Sequence, residues 1–201
     1  SVFFEPGELT EWVWFMESGI GSIVTASPED LSAENGLVGR DGFAPTSIVL
    51  GSDRSPHRGL AQVSGHCYRM PASAFREALS QSTSLQNILL RYVHTLAVQT
   101  PYTSLSNAVH QIDERLARWI LMTQDRVDGE ELALTHEFLS IMLAVRRPSV
   151  TTALHVLEGN GLIRSERGCV IIRNRTALED FAKDSYGVPE AEYERLIGPL
   201  R

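Results

Sequence analysis

The apolar residues of this sequence change their period at Pro71, and this change constrains the fold more than any other feature. Before Pro71, β-branched and apolar residues fall in short runs separated by glycine- and proline-rich turns, namely residues 20–25, 47–50 and 60–70. Short strands at this spacing are typical of a β-sandwich or barrel. After Pro71, apolar residues recur every three or four positions, which indicates helices. The sequence therefore predicts an α+β fold with its strands first.

A long helical pattern follows Pro71-Ala72-Ser73 and carries a seam at alternating spacings of four and three. The seam consists of Leu85, Leu89, Tyr92, Leu96 and Gln99. Pro101 is expected to kink or interrupt the helix, because an interior proline loses a hydrogen bond at a cost of about 3 kcal/mol. Two interpretations of the seam are open: the helix packs on its own domain, or it joins two copies of the chain. The second is favoured, because the β-rich segment has its own strands to bury.

Residues 134–173 follow the order helix, tight turn, helix and hairpin, after a separate helix predicted over residues 113–127. Thr135 is predicted to cap the first helix of this segment through its hydroxyl. The apolar inner face of the two helices consists of Leu139, Met142, Leu143, Val150, Ala153, Leu154 and Leu157. Residues 162–164 and 170–172 are predicted to pair as a hairpin around a glycine-containing turn. The pattern is typical of a winged helix-turn-helix.

Polar residues at the starts of these two helices are candidate nucleic-acid contacts. They are Thr135, His136, Arg146, Arg147, Ser149 and Thr152. A planar guanidinium at the start of a recognition helix can bind O6 and N7 of guanine together, which suits Arg146 and Arg147. Hydroxyls and free N–H groups at helix starts bind phosphates, which suits Thr135 and Ser149.

The charge distribution supports this interpretation, although the total charge does not. The chain has 18 basic and 25 acidic residues and a net charge of -7, which taken alone disfavours nucleic-acid binding. Residues 132–178, however, contain six arginines and three glutamates. A positively charged segment therefore coincides with the predicted helix-turn-helix.

Several runs of the sequence resemble the Crp/Fnr transcription regulators, namely residues 5–8, 17–19, 114–121, 134–139, 145–150, 157–158 and 161–163. The resemblance implies a cyclic-nucleotide-binding-like β-roll (a double-stranded β-helix or jelly roll) over residues 1–78. It further implies a dimerisation helix over 79–110 and a winged-helix DNA-binding domain over 111–201. Because Ser1 stands directly before a strand pattern, we expect the β-roll to lack part of its native N-terminus.

The resemblance also implies partners and residue roles. A homodimer joined along the seam would bind a pseudo-palindromic double-stranded operator, with its recognition helices about 34 Å apart, and RNA polymerase would be a further partner. Arg147 matches the arginine that reads guanine. The matches to phosphate contacts are Thr135, His136 and Ser149. Pro148 and Thr152 depart from base-reading residues of the family, so the operator sequence of other members does not transfer.

Candidate ligand-binding residues in the first domain are Gly39, Arg40, Arg54 and Ser55. In family members that bind cyclic AMP, a Gly-Glu pair holds the ribose and an Arg-Ser pair holds the phosphate. Here the glutamate is missing and Pro56 follows the Arg-Ser pair, so cyclic AMP is not expected. Two cysteines cannot supply the cluster of thiolates that iron-sulfur members use. We predict no metal and no cofactor, and the effector stays unknown.

Other function classes find little support. No Gly-x-Ser-x-Gly elbow or phosphate-binding glycine loop indicates an enzyme, and no apolar run approaches the roughly 18 residues of a membrane span. The acidic run Glu190, Glu192 and Glu194 is interpreted as the solvated face of a last short helix. We therefore expect a cytoplasmic, DNA-binding transcription regulator. The alternative is a ligand-binding β-barrel module whose helical tail contacts proteins and binds no DNA.

Overall fold

The computed structural model describes residues 1–27, 29 and 32–200. Its N-terminal part contains seven strands: β1 (Val2–Phe4), β2 (Trp12–Met16), β3 (Ile20–Ala26), β4 (Ser32–Val38), β5 (Phe43–Ala44), β6 (Arg58–Val63) and β7 (Cys67–Pro71). They form two antiparallel sheets, one in the order β1-β6-β3-β4 and one in the order β5-β2-β7. The predicted α+β class, with antiparallel sheets at the N-terminal end, is confirmed.

Two details of the strand prediction are wrong. Residues 46–48 form a short 3-10 helix instead of a strand, and the run 60–70 is divided into β6 and β7. The division has a steric cause, because the turn at Gly65 packs against the backbone of residues 18 and 19. A Cβ at Gly65 would lie 2.2 Å from the carbonyl oxygen of Ser18. Strand β4 was not predicted, since its sequence is largely polar and contains the buried Glu34.

Seven helices follow in the described part of the chain: α1 (Ala72–Gln81), α2 (Thr83–Val109), α3 (Ile112–Gln124), α4 (His136–Leu143), α5 (Arg147–Gly159), α6 (Arg175–Ala182) and α7 (Val188–Leu196). Strands β8 (Glu131–Leu132), β9 (Ile163–Glu166) and β10 (Cys169–Ile172) form a small sheet in the order β8-β10-β9. Among the described helices, none combines the length and the apolar character that crossing a membrane requires.

Helix α2 continues through Pro101, so the predicted interruption does not occur. Pro101 is exposed, and so is Ala97, whose carbonyl loses its N–H donor. Three neighbouring hydroxyls also donate to helix carbonyls, those of Thr100, Thr103 and Ser104. The helix therefore tolerates the proline.

The seam of α2 packs inside its own chain. Leu89 and Tyr92 are buried in a cluster with Val13, Phe43 and Phe75, in which the Phe43 and Tyr92 rings are 5.2 Å apart. The buried Gln99 accepts a hydrogen bond from the backbone of β4 at 3.4 Å. Leu85 and Leu96 are half-buried against the same cluster. The five side chains therefore pack on the β-sheet domain of their own chain, which is the first of the two interpretations.

A buried ion pair joins the β-sheet domain to the end of α3. The Arg126 Nη2 atom lies 3.0 Å from Oδ2 of Asp41, and both side chains are less than 5% exposed. Asp41 also accepts a bond from the backbone N–H of Gly39 through its other oxygen, at 2.7 Å. Ile20 and Leu37 of the sheets belong to the same core as helices α3 to α5. The two halves of the chain therefore share one interior.

We predict that Glu34→Gln stabilises the protein in a pH-dependent way. Burial raises the pKa of Glu34 well above its usual value, so folding favours the protonated form, and the free energy of unfolding falls as the pH rises through that range. The variant should be more stable than the wild type at pH 8 by about 1–3 kcal/mol, and the difference should shrink at pH 5. Urea unfolding at both pH values measures this, with the exposed Glu8→Gln as the control. A pH-independent difference would contradict the prediction.

Candidate nucleic-acid interface

The turn between α4 and α5 is built by local hydrogen bonds. Thr135 caps α4 as predicted, with its Oγ1 accepting from the N–H of Phe138 at 3.2 Å. Helix α4 ends at Ala144, which has a left-handed backbone with a φ of 50°, and the N–H of Val145 then donates to the carbonyl of Ser140. Pro148 stands in the first turn of α5, where the absence of an N–H costs nothing.

Packing holds the two helices in one arrangement. The predicted inner-face residues of α4 and α5 are all buried. They share a core with Leu116, Trp119 and Ile120 of α3. Val145 is half-buried against this core. The inner face of the helix-turn-helix is therefore confirmed.

The outer surface presents the predicted polar residues to solvent. Thr135, His136, Arg146, Arg147 and Thr152 are exposed, and Ser149 is half-buried. The Thr152 hydroxyl donates to the carbonyl of Pro148 within the helix, at 3.1 Å. The structure thus brings the six candidates together on the starts of two adjacent helices. Their contacts with nucleic acid remain a prediction.

Sequence reasoning missed one member of this surface, Glu137. Its carboxylate lies 3.3 Å from Nη2 of Arg147, and both side chains are about two-thirds exposed. Such a surface pair contributes about 0–1 kcal/mol. The two residues stand in the first turns of different helices and meet only through tertiary packing, so their spacing in the sequence carried no signal.

The hairpin forms the predicted wing beside the two helices. Gly168 has a φ of 74° at its tip, and Val170 pairs with Ser165 on one side and with Leu132 on the other. Strand β8 was not predicted because it has only two residues. Arg164 pairs with Glu166 at 3.0 Å, whereas Arg167 and Arg173 are exposed near the tip and the base of the wing. The wing adds positive charge next to α5.

The four candidate ligand-binding residues occupy separate surroundings. Gly39 packs on the Arg126 side chain, and Arg40 pairs with Asp128 at 2.6 Å. Arg54 donates to the carbonyl of Gly7 at 2.6 Å, and the buried Ser55 accepts from the backbone of residue 57. A cavity lies between the four-stranded sheet and α2, and none of these four residues lines it.

That cavity has a volume of about 320 Å³ and is uncharged apart from a histidine. It is lined by Ile23, Asn35, Gly36, Thr46, Leu50, His57, Val93, Leu96, Ala97 and Thr100. Burial lowers the pKa of His57, whose Nδ1 lies 2.9 Å from Oγ1 of Thr25. A cavity of this size accommodates a small organic molecule.

The described residues contain no cluster of three or more histidine, cysteine, aspartate or glutamate side chains that could hold a metal ion. Cys67 is exposed at the start of β7, and the preceding His66 is exposed as well. Cys169 is half-buried in the wing.

Comparisons with known proteins agree with this geometry. Residues 114–181 match the family model of the Crp-like helix-turn-helix domain. The chain is similar to a CRP-family transcriptional regulator from Thermus thermophilus, with 18% identity and a TM-score of 0.72 over 90% of this chain and 93% of that chain. It is also similar to FixK2 from Bradyrhizobium japonicum, with 14% identity and a TM-score of 0.77 over 90% and 92% of the two chains. Comparison with curated proteins gives no match.

A third similar structure is the c-di-GMP responsive global regulator CLP from Xanthomonas campestris, with 16% identity and a TM-score of 0.63. It covers 86% of this chain and 89% of that chain. The expected resemblance is thus confirmed: the chain has the fold of Crp/Fnr-type transcription regulators, and it carries their helix-turn-helix domain.

We predict that Thr135→Ala lowers the free energy of unfolding by about 1 kcal/mol, because the first turn of α4 loses its side-chain cap. Thr135→Ser keeps the hydroxyl and should stay within a few tenths of the wild type. Urea unfolding, followed by amide exchange in α4, measures both. Equal losses in the two variants would contradict a capping role.

Proposed function

We propose that this chain, with its Crp/Fnr-type fold and Crp-like helix-turn-helix domain, is a homodimeric, sequence-specific DNA-binding transcription regulator. The observation that carries the proposal is the exposed first turn of α5. It places Arg146 and Arg147 in solvent on a helix pair whose inner face is buried. A recognition helix lies in the major groove with its N-terminal residues in contact with the base edges.

Specificity in this proposal rests on Arg147, while phosphate contacts fix the position of the protein on the DNA. A guanidinium that binds guanine through both O6 and N7 discriminates it by about 1–3 kcal/mol. Thr135, His136 and Ser149 lie beside it at the two helix starts and would fix the register through the DNA backbone. Arg167 and Arg173 of the wing would add phosphate contacts.

We place the dimer interface on the face of α2 opposite its buried seam. This face exposes an apolar stripe formed by Leu90, Ala97, Pro101, Leu105 and Ala108. Leu90 and Leu105 are 39% and 49% exposed. A helix that is apolar on both faces, one of them in solvent, is typical of an interface helix. Two copies joined along this stripe would present two recognition helices to one duplex.

Cyclic AMP fits the first domain poorly. Arg40 pairs with Asp128, and Arg54 donates to the Gly7 carbonyl. The 320 Å³ cavity is lined by no arginine or lysine, so it offers no positive charge to neutralise a cyclic phosphate. We propose instead that this cavity is the effector site and that its effector is not an anion.

We predict that Arg147→Ala weakens binding to a selected duplex by about 10- to 100-fold, because it removes the bidentate contact to guanine. The duplex is selected by the wild type from a random pool, and fluorescence anisotropy at several salt concentrations gives the Kd. Arg76→Ala, an exposed arginine on α1, is the matched control and should bind like the wild type. A wild type that binds no DNA at any salt concentration overturns the proposal and favours the protein-interaction module.

We predict that Leu105→Glu converts the dimer to the 22.3 kDa monomer, because it places a carboxylate in the apolar interface. Sedimentation velocity measures this at micromolar protein. Leu9→Glu replaces a leucine that is 56% exposed on the β-sheet domain, and it should leave the dimer intact. An intact Leu105→Glu dimer would show that the stripe is not the interface.

A further inference from the structure

The segment 183–200 lies beyond the matched helix-turn-helix domain, which ends at residue 181. Its helix α7 packs along α2, and its last residues reach the core of the β-sheet domain. The segment thus starts on one half of the molecule and ends on the other.

At its start, the segment is attached around the short break between α2 and α3. Lys183 pairs with Glu114 of α3, and Asp184 pairs with His110 at 2.9 Å. The carbonyl of Ser185 accepts from Nε of Arg118 at 2.8 Å. Arg118 is 1% exposed and also donates to Thr103 of α2.

Its middle is attached to the end of α3. The Tyr186 hydroxyl donates to Asp125 at 2.8 Å and accepts from Arg175 of α6 at 2.7 Å. Glu190 accepts from the N–H of Gly187 at 2.8 Å and is only 8% exposed, close to Arg118. The interpretation of Glu190 as part of a solvated acidic face is therefore wrong. Its burial results from contacts with residues distant in the sequence.

At its end, the segment is attached to α2 and to the β-sheet domain. The Tyr193 hydroxyl donates to the carbonyl of Asp41 at 2.8 Å, and Glu192 pairs with His94 at 3.0 Å. Tyr193 and Leu200 are buried in the aromatic cluster with Phe43. Tyr193 and Leu200 contact the buried seam side of α2, whereas His94 lies on the exposed face, between Leu90 and Ala97 of the apolar stripe.

We infer that residues 183–200 form an intramolecular strap that holds the helix-turn-helix domain in one orientation against α2 and the β-sheet domain. In this orientation Arg147 is exposed. In the dimer of the proposed function, on which this last step rests, two straps would keep the two recognition helices at a fixed separation. The strap would then favour a duplex with two half-sites over one with a single half-site.

The test releases the C-terminal end of the strap and follows both that end and the turn of the β-sheet domain that it contacts. The variant is the double substitution Tyr193→Ala with Leu200→Ala in the full chain, and the control is Glu194→Ala, an exposed residue of the same helix. By hydrogen-exchange mass spectrometry, we expect at least tenfold faster exchange over 188–197 and 39–42 in the double variant. Exchange over 139–157 should not change. Continued protection of 188–197 would overturn the strap.

The consequence for DNA is measured as a ratio of affinities. We expect the preference for a two-half-site duplex over a single-half-site duplex to fall at least tenfold in the double variant, while single-half-site binding stays as in the wild type. An unchanged preference with a released strap would overturn its role in orientation. If the wild type binds no DNA, the proposed function fails, and the exchange measurement still decides whether the strap exists.

Tyr193→Phe keeps the test decisive if the double variant unfolds. It removes only the hydroxyl that donates to Asp41, so exchange over 39–42 should rise about threefold with the aromatic packing intact. Unchanged exchange there would overturn the attachment of the strap to the β-sheet domain.

Discussion

The ion pair between Asp41 and Arg126 is the interaction on which the rest of the structure depends. Burial by itself lowers the pKa of Arg126, but the nearby carboxylates of Asp41 and Asp125 raise it on balance, so the guanidinium stays charged in the interior. Removing either partner would leave a buried charge at a cost of about 3–5 kcal/mol. Two glycines allow the close packing around this pair. A Cβ at Gly39 would lie 2.7 Å from the Arg126 side chain, and a Cβ at Gly42 would overlap the Tyr92 ring.

The helix-turn-helix could be predicted from the sequence because its determinants are local. The cap at Thr135 and the small and apolar positions of α4 and α5 repeat within one short segment and point to one core face. The apolar seam of α2 can also be predicted from the sequence. The period of the apolar residues shows which face of the helix is buried, but it does not show which element packs on that face. Strand β4, the pairing of Glu137 with Arg147 and the burial of Glu190 depend on residues far away in the chain. No short pattern reports such contacts.

The Gly39-Arg40-Asp41-Gly42 turn has a different role in the structure from the one its sequence suggests. Its spacing suggests a ligand cassette, because glycines allow a close approach of the backbone. In the structure the approaching groups belong to the chain itself, the Arg126 side chain and the Tyr92 ring. The turn connects the sheets to the end of α3. The 320 Å³ cavity lies elsewhere, beside Asn35 and His57. The joint between the two halves and the effector site that we propose are thus formed by neighbouring but different residues.

The burial of Leu200 beside Val13 and Phe43 also has a consequence for biosynthesis. A core that combines residues so far apart in the sequence cannot close until Leu200 has been made, and contacts of such long range form slowly. Until Leu200 has left the ribosome, Phe43 and its neighbours lack part of their cover. Chains that stop before Leu200 would therefore expose apolar surface and be open to proteolysis.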